Sequence, residues 1–438
     1  MNQLETHPVS KIEGEYMPPG DKSISHRLIM LGALADDVSQ FSHFLNSDDC
    51  RRTLRTFEAM GVKFEPPIPP AAGKTQMTKL TVRGVGLRGL SRPRHDLDLG
   101  NSGTTMRLLL GILAAQPFEV RLIGDASLSK RPMRRVTIPL RKMGARIKGA
   151  DDGNFAPLTI QGGPLSGIRW RSEISSAQVK SAILLAGLYA EGETSVEEAI
   201  SSRDHTERLL VLFGAKLDRS KHVASVRKID KLKSVQFDVP GDFSSAAFLI
   251  VAALLVPNSN LIIRQVGLNP TRIGLLTVLK SMGADLKIDL NDDQSLVEPV
   301  GNIYVKASRL KGVTIPKDLI SSLIDELPIL MVACALADGE SVIQGAEELR
   351  IKETDRIFSM ATGLRAIGAK VSERPDGCVI EGVGEFQGGT VSSFGDHRTA
   401  MSFLIAGLWS KRGVVVQDTD CIETSYPSFQ ADLKSISH

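Results

Sequence analysis

Cysteine is scarce, with only Cys50, Cys334, Cys378 and Cys421 in 438 residues. They are widely spaced and form neither a CxxC pair nor a Cys/His ligand set, which excludes a disulfide scaffold and a structural zinc site and points to reduced thiols. An excess of one charge is also missing: 53 Lys and Arg against 50 Asp and Glu leave a net charge of +3. That is too small a surplus for nucleic acid or an anionic membrane to be the main partner, so any basic cluster has to be local. Long apolar runs are lacking as well. The longest, 246–256 and 327–337, reach about half the length of a membrane-spanning helix. The first residues show no basic segment leading into an apolar stretch, so a cytoplasmic location without a secretory signal is expected. What remains, 42% apolar and 24% charged residues, is the balance of a globular chain large enough for two or three cores.

Organisation is visible in a recurring pattern: an amphipathic, helix-like stretch, an apolar residue followed by Gly, then a strand-like run. It occurs at Met60-Gly61, Met143-Gly144, Phe213-Gly214, Met282-Gly283 and Ile367-Gly368, with successive glycines 83, 70, 69 and 85 residues apart. Glycine there lets a helix end in the left-handed region before a strand begins. The segment 431–436 resembles 278–282, so a sixth copy is expected in truncated form. Above this lies a second repeat. Pro19-Gly20-Asp21-Lys22-Ser23 recurs 221 residues later as Pro240-Gly241-Asp242-Phe243-Ser244, although Pro-Gly-Asp is also ordinary turn chemistry. Two similar α/β halves of three units each are expected: residues 21–240 as one lobe and 1–20 plus 241–438 as the other, the Pro-Gly pairs being the crossovers. A cleft between lobes is then the expected ligand site.

Two motifs are decoys. Gly84-Val85-Gly86-Leu87-Arg88-Gly89 matches GxGxxG but is followed by Pro93 and no helix-like periodicity. Gly73-Lys74-Thr75 looks like the end of a phosphate loop, yet Ile68 and a Pro-rich approach break the pattern. Neither NAD nor ATP is supported.

The chemistry lies in segments that set hydroxyls and cations at helix starts. Lys22 and Ser23 precede the apolar run 28–34, and Gly100 to Arg107 repeats the device with small residues around Gly103. Exposed amides and a lysine at a helix N-terminus attract anions; a capped helix with solvated charges fits the same residues. Lys130, Arg131, Arg134 and Arg135 put four cations within six positions. Such a run is often a solvated surface, but arginine also offers a planar fork for carboxylate or phosphate. Ser176-Ala177-Gln178 and Ser202-Arg203-Asp204 add further hydroxyls and an arginine. In the second half, Asp325-Glu326 interrupts an apolar stretch, where desolvation would raise a carboxyl pKa and suit proton transfer. Helical spacing would place Lys352 beside Arg356 with Glu353 nearby, and like charges on one face call for an anion between them. Gly395-Asp396-His397-Arg398 again sets a cation at a helix start. Together these segments suggest metal-free transfer chemistry on small, strongly anionic metabolites, with two carboxylates as acid and base.

At this point the chain resembles the 5-enolpyruvylshikimate-3-phosphate synthase family, over nearly its whole length. The segments GDKSISHR, GNSGTTMR, KRPM, SAQVKS, DELPIL, KETDR and DHRTAM stand in family order, from Gly20 to Met401, and SAQVKS with SRDHTE is similar to the bacterial class II branch. The resemblance implies two lobes, each of three βαββαβ units, and transfer of the enolpyruvyl group of phosphoenolpyruvate to the 5-hydroxyl of shikimate 3-phosphate, releasing phosphate, in the shikimate pathway of aromatic amino acid synthesis. It implies no cofactor and no metal, and a monomer is expected. Carried over by motif, Lys22, Ser23, Arg27, Ser176, Ala177, Gln178, Arg203, Asp325 and Lys352 would hold shikimate 3-phosphate. Lys22, Gly103, Arg131, Gln178, Arg356 and Arg398 would surround phosphoenolpyruvate. Asp325, Glu353 and Lys22 would move protons, Asp325 at the hydroxyl and the other two at the methylene carbon. The lobes would close on their ligands and exclude water.

Two departures stand out. Many relatives carry a lysine near the C-terminus where this chain has Thr424, so no site residue is assigned there. The most glyphosate-tolerant class II enzymes carry alanine in place of Gly103, so appreciable inhibition by glyphosate is expected. The alternatives are an enolpyruvyl transferase acting on UDP-N-acetylglucosamine, whose loop cysteine has no convincing counterpart here, and a binder of phosphorylated metabolites without turnover.

Overall fold

The computed structural model describes residues 2–68, 78–291, 293 and 297–438. Gly73-Lys74-Thr75 lies outside the described residues. The chain divides into two compact units, Gly20–Val239 and Met1–Pro19 with Pro240–His438.

One architectural rule builds both. In the first unit, each of three four-stranded sheets has an edge strand parallel to a central strand, followed by two antiparallel strands. Their central strands are Val38–Ser42, Glu119–Ile123 and Glu193–Glu198. The middle sheet shows the chain path. Edge strand Leu97–Asp98 leads through helix Gly103–Leu113 to the central strand. Helix Arg134–Met143 then leads to the outer strand Arg146–Gly149, and Phe155–Gln161 returns between them. The order is therefore βαβαββ, with the central strand between the two helices. This refines the βαββαβ order implied by the resemblance: a helix is needed to cross from edge to centre, because parallel neighbours cannot be joined by a tight turn.

The second unit repeats the rule with local substitutions. Its first sheet places Glu13–Tyr16 parallel to Asn260–Gly267. In the next, two isolated parallel bridges, Lys311 to Asp338 and Thr314 to Val342, stand where the edge strand would be. The last sheet, of three strands, pairs Gly389–Ser392 parallel with the central Val414–Gln417 and takes its antiparallel edge strand from Gln3–Thr6. The sixth copy, which ends in the sequence after helix Phe429–Ile436, is thus completed by the N-terminal strand. The five marked glycines, Gly61, Gly144, Gly214, Gly283 and Gly368, all follow helices at φ between 90° and 119°, where a side chain would be strained.

Each unit encloses its own apolar core. Helices Phe243–Leu255 and Leu327–Leu336 are buried almost all round, which explains their lack of a polar face. Among the described residues no single helix is long and apolar enough to cross a membrane. One pair, Lys317–Leu323 with Leu327–Leu336, qualifies by length and composition but is bent by 119°. Gly84 to Gly89 form a loop after strand Lys79–Arg83, with no helix following, so no dinucleotide turn is built.

Candidate active site

In the Gly20–Val239 unit, the N-terminal ends of three helices, Lys22–Leu34, Gly103–Leu113 and Ala177–Gly187, are tied together by side chains. Asp21 caps the first, accepting from Ile24 N at 2.8 Å, and Ser102 caps the second, accepting from Thr105 N at 3.2 Å. Arg27, 4% exposed, donates from Nε to Thr206 Oγ1 (2.6 Å), from Nη1 to the Ser23 carbonyl (2.8 Å) and from Nη2 to Ser181 Oγ (3.0 Å). The guanidinium therefore fixes three segments at once, as a rigid five-donor fork can. Gln178 donates to Thr104 Oγ1 at 2.9 Å and accepts from Arg107 Nη1. Arg131 is 6% exposed; its Nη2 donates to Asn101 Oδ1 and weakly to Ser127 Oγ. A Cβ on Gly103 would lie 3.0 Å from Arg131 Nη1, so these two positions face each other.

Lys22 pairs with Asp49 at 3.0 Å, and Ser176 donates its backbone N–H to Glu198 at 3.1 Å. Arg203, half-buried, sits in the turn before helix His205–Leu212. Ser23, Ala177 and Gln178 thus stand with Lys22, Gly103 and Arg131 where helix dipoles and cations favour an anion. The sequence reading gave no role to Arg107, Asp49, Ser181, Thr206 or Glu198. Arg107, Ser181 and Thr206 each carried a signal, standing in the GNSGTTMR, SAQVKS and SRDHTE segments, whereas Asp49 and Glu198 stand in none of the segments singled out.

In the other unit, Asp325 lies at the bend between helices Ile320–Leu323 and Leu327–Leu336. Three cations converge on it: Arg356 Nη1 at 3.4 Å and Lys352 Nζ at 3.7 Å on Oδ1, and Arg398 Nη2 at 3.8 Å on Oδ2. Arg398 Nη1 also donates to the Asp325 carbonyl at 3.0 Å. Arg356, 1% exposed, binds Glu353 at 2.6 Å and Asp396 at 2.8 Å. Burial works against its charge, yet Asp396, Glu353 and Asp325 outweigh that and hold its pKa above the ordinary arginine value.

Two expectations change here. Lys352 and Glu353 precede helix Arg356–Ala366 instead of lying within it, so helical spacing is not what joins them to Arg356. The anion between Lys352 and Arg356 is Asp325 itself. The apolar surroundings expected at Asp325 likewise give way to three cations, Lys352, Arg356 and Arg398. Thr424 donates to the Cys421 carbonyl at 2.7 Å, closing the short helix Thr419–Thr424. Among the described residues no group of three or more His, Cys, Asp or Glu is placed to hold a metal ion.

Comparison with known proteins bears on the chain as a whole. Residues 6–433 match the family model for EPSP synthase (3-phosphoshikimate 1-carboxyvinyltransferase). The 3-phosphoshikimate 1-carboxyvinyltransferase of Geobacter sulfurreducens is 50% identical over 436 residues, spanning 100% of this chain and 99% of the relative. That of Pelobacter propionicus is 50% identical, spanning 98% and 97%. The solved structure of EPSP synthase from Acinetobacter baumannii superposes with a TM-score of 0.86 at 43% identity, covering 100% of this chain and 98% of that one. Matched by that family model over nearly its whole length and 50% identical to full-length relatives, the chain belongs to the EPSP synthase family.

Proposed function

We propose that the two clusters serve the two ends of one reaction, the family's transfer of the enolpyruvyl group of phosphoenolpyruvate to the 5-hydroxyl of shikimate 3-phosphate. Ser23, Arg27, Ser176, Ala177, Gln178 and Arg203, with Lys22, hold shikimate 3-phosphate through its phosphate and hydroxyls. Asp325 and Lys352 hold its reacting side. Arg131, Arg356 and Arg398, with Lys22, Gln178 and the clearance at Gly103, hold the phosphate and carboxylate of phosphoenolpyruvate. Cations in a water-poor site stabilise both bound anions and the departing phosphate.

In the addition, Asp325 takes the proton of the 5-hydroxyl as its oxygen bonds to C2 of phosphoenolpyruvate, while Glu353 or Lys22 delivers a proton to C3. In the elimination, the C2–O bond to phosphate breaks and a C3 proton returns, giving enolpyruvyl product and inorganic phosphate. The carrying observation is that one carboxylate has Lys352, Arg356 and Arg398 all within 4.0 Å, with Glu353 on the same arginine. The reading has the chain acting as a cytoplasmic monomer on phosphorylated metabolites.

Asp325→Asn tests it. The variant is expected to keep binding shikimate 3-phosphate in a direct titration while kcat falls by about 10²- to 10⁴-fold, the usual range for a lost general base. A kcat within about threefold of the parent, judged against that range, would remove Asp325 from proton transfer.

A further inference from the structure

Behind the shikimate 3-phosphate segments of the Gly20–Val239 unit lies a buried charge cluster that the mechanism does not use. Lys180 pairs with Glu198 at 2.9 Å and with Glu207 at 2.8 Å, and all three side chains are at most 6% exposed. Burial works against the lysine's charge, but the two carboxylates outweigh it and raise its pKa.

Glu198, the last residue of strand Glu193–Glu198, divides its oxygens between two separate segments. Oε1 accepts from Ser176 N at 3.1 Å and from Ser202 Oγ at 2.6 Å, while Oε2 accepts from Ser202 N at 3.1 Å. Lys180 closes the arrangement by donating to the Ser202 carbonyl at 3.2 Å. One carboxylate thus sets the N-cap position of helix Ala177–Gly187 and the turn that carries Arg203. The Ser176 side chain makes no capping bond of its own; its backbone N–H is held by Glu198, while its carbonyl accepts from Lys180 N at 3.0 Å in the first turn of the helix.

Buried ion pairs are poor sources of stability, because desolvation offsets the attraction; their best-attested use is to fix one arrangement among several. We infer that Glu198, held in place by Lys180, is a positioning residue for shikimate 3-phosphate, setting Ser176 and Arg203 at the spacing its phosphate requires. This rests on the proposal that Ser176 and Arg203 bind that substrate.

Glu198→Gln replaces one acceptor oxygen with an NH₂ group that must face either Lys180 or the backbone N–H groups, donor against donor. Glu207→Gln breaks the same cluster on the side that touches neither segment. Both are compared by steady-state kinetics in each substrate and by thermal unfolding, with Arg203→Ala as the check on the underlying reading. The expected result for Glu198→Gln is a rise in KM for shikimate 3-phosphate of about tenfold or more, with KM for phosphoenolpyruvate and kcat within about threefold of the parent. Glu207→Gln is expected to lower the melting temperature while leaving both KM values within about twofold. If Glu198→Gln does not fold, Glu198→Asp carries the test: it keeps the charge beside Lys180 but withdraws the carboxylate by one methylene, and the same selective rise in KM is expected.

Equal effects of the Glu198 and Glu207 changes on both substrates would reduce the cluster to a structural role and overturn the inference. An unchanged KM for shikimate 3-phosphate in a folded Glu198 variant, with Arg203→Ala raising it, would overturn the inference alone. An unchanged KM in Arg203→Ala would overturn the binding assignment and the inference with it.

Discussion

Gly103 and Arg131 show how much a single methyl group decides. A Cβ at Gly103 would stand 3.0 Å from Arg131 Nη1, the far end of a flexible side chain, so alanine fits only if the guanidinium shifts. That guanidinium already has Asn101 and Ser127 as partners, and its displacement would degrade the anion contact proposed for it without harming the core. Gly103→Ala is therefore expected to fold normally, to raise KM for phosphoenolpyruvate by roughly three- to thirtyfold, the cost of weakening one charge-assisted bond, and to weaken inhibition by glyphosate. Equal inhibition constants for parent and variant would reject the steric account. Residues such as Arg131, Arg356 and Asp325 were legible in the sequence because charge stands out beside small or apolar neighbours. Their partners were not: Asp396 reaches Arg356 from 40 positions away, and Thr206 reaches Arg27 from 179. Distance along the chain carries no signal for such pairs in a single sequence.

Between helices, the chief device is a chain of buried polar groups. His26 Nδ1 bonds Thr53 Oγ1 at 2.7 Å, Thr53 bonds Thr105 at 2.7 Å, and Thr105 bonds the capping Ser102 at 2.7 Å. Helices Lys22–Leu34 and Asp48–Ala59 are thereby joined to the start of Gly103–Leu113, where the phosphoenolpyruvate contacts are proposed. Burial, with the nearby charges of Lys22 and Arg27, holds the His26 pKa well below its usual 6.5. The unfolded chain therefore binds a proton below pH 6.5 that the native helix excludes. This contribution is intact above pH 6.5 and lost as pH falls toward the folded value. In urea titrations, the stability difference between the parent and His26→Asn should shrink on acidification below pH 6.5, by up to about 1.4 kcal/mol per pH unit. Parallel stability curves for the two proteins would contradict it. Helix starts were readable because Asp and Ser caps precede apolar runs, and Asp21, Ser102 and Asp396 do cap. The segment Lys352–Glu353 was misread as helix because charged residues at helical spacing look alike inside a helix and just ahead of one.

For the molecule as a whole, duplication is the organising fact. Five glycines and two Pro-Gly-Asp turns revealed it, since a left-handed helix end demands the same residue in every copy. The completion of the last sheet by Gln3–Thr6 could not be read, because strand pairing across 408 to 414 positions, Thr6 with Val414 through Gln3 with Gln417, leaves no local trace. Both units contribute cations to the proposed site, Lys22 and Arg131 from one and Lys352, Arg356 and Arg398 from the other, while the carboxylates proposed to move protons, Asp325 and Glu353, both belong to the second. The central claim, that both serve a single transfer, is tested most directly by measuring inorganic phosphate released from phosphoenolpyruvate with each substrate omitted in turn. The account predicts one phosphate per enolpyruvyl group transferred when both substrates are present, and none when either is left out. Release that does not depend on shikimate 3-phosphate, or no release with both present, would contradict it.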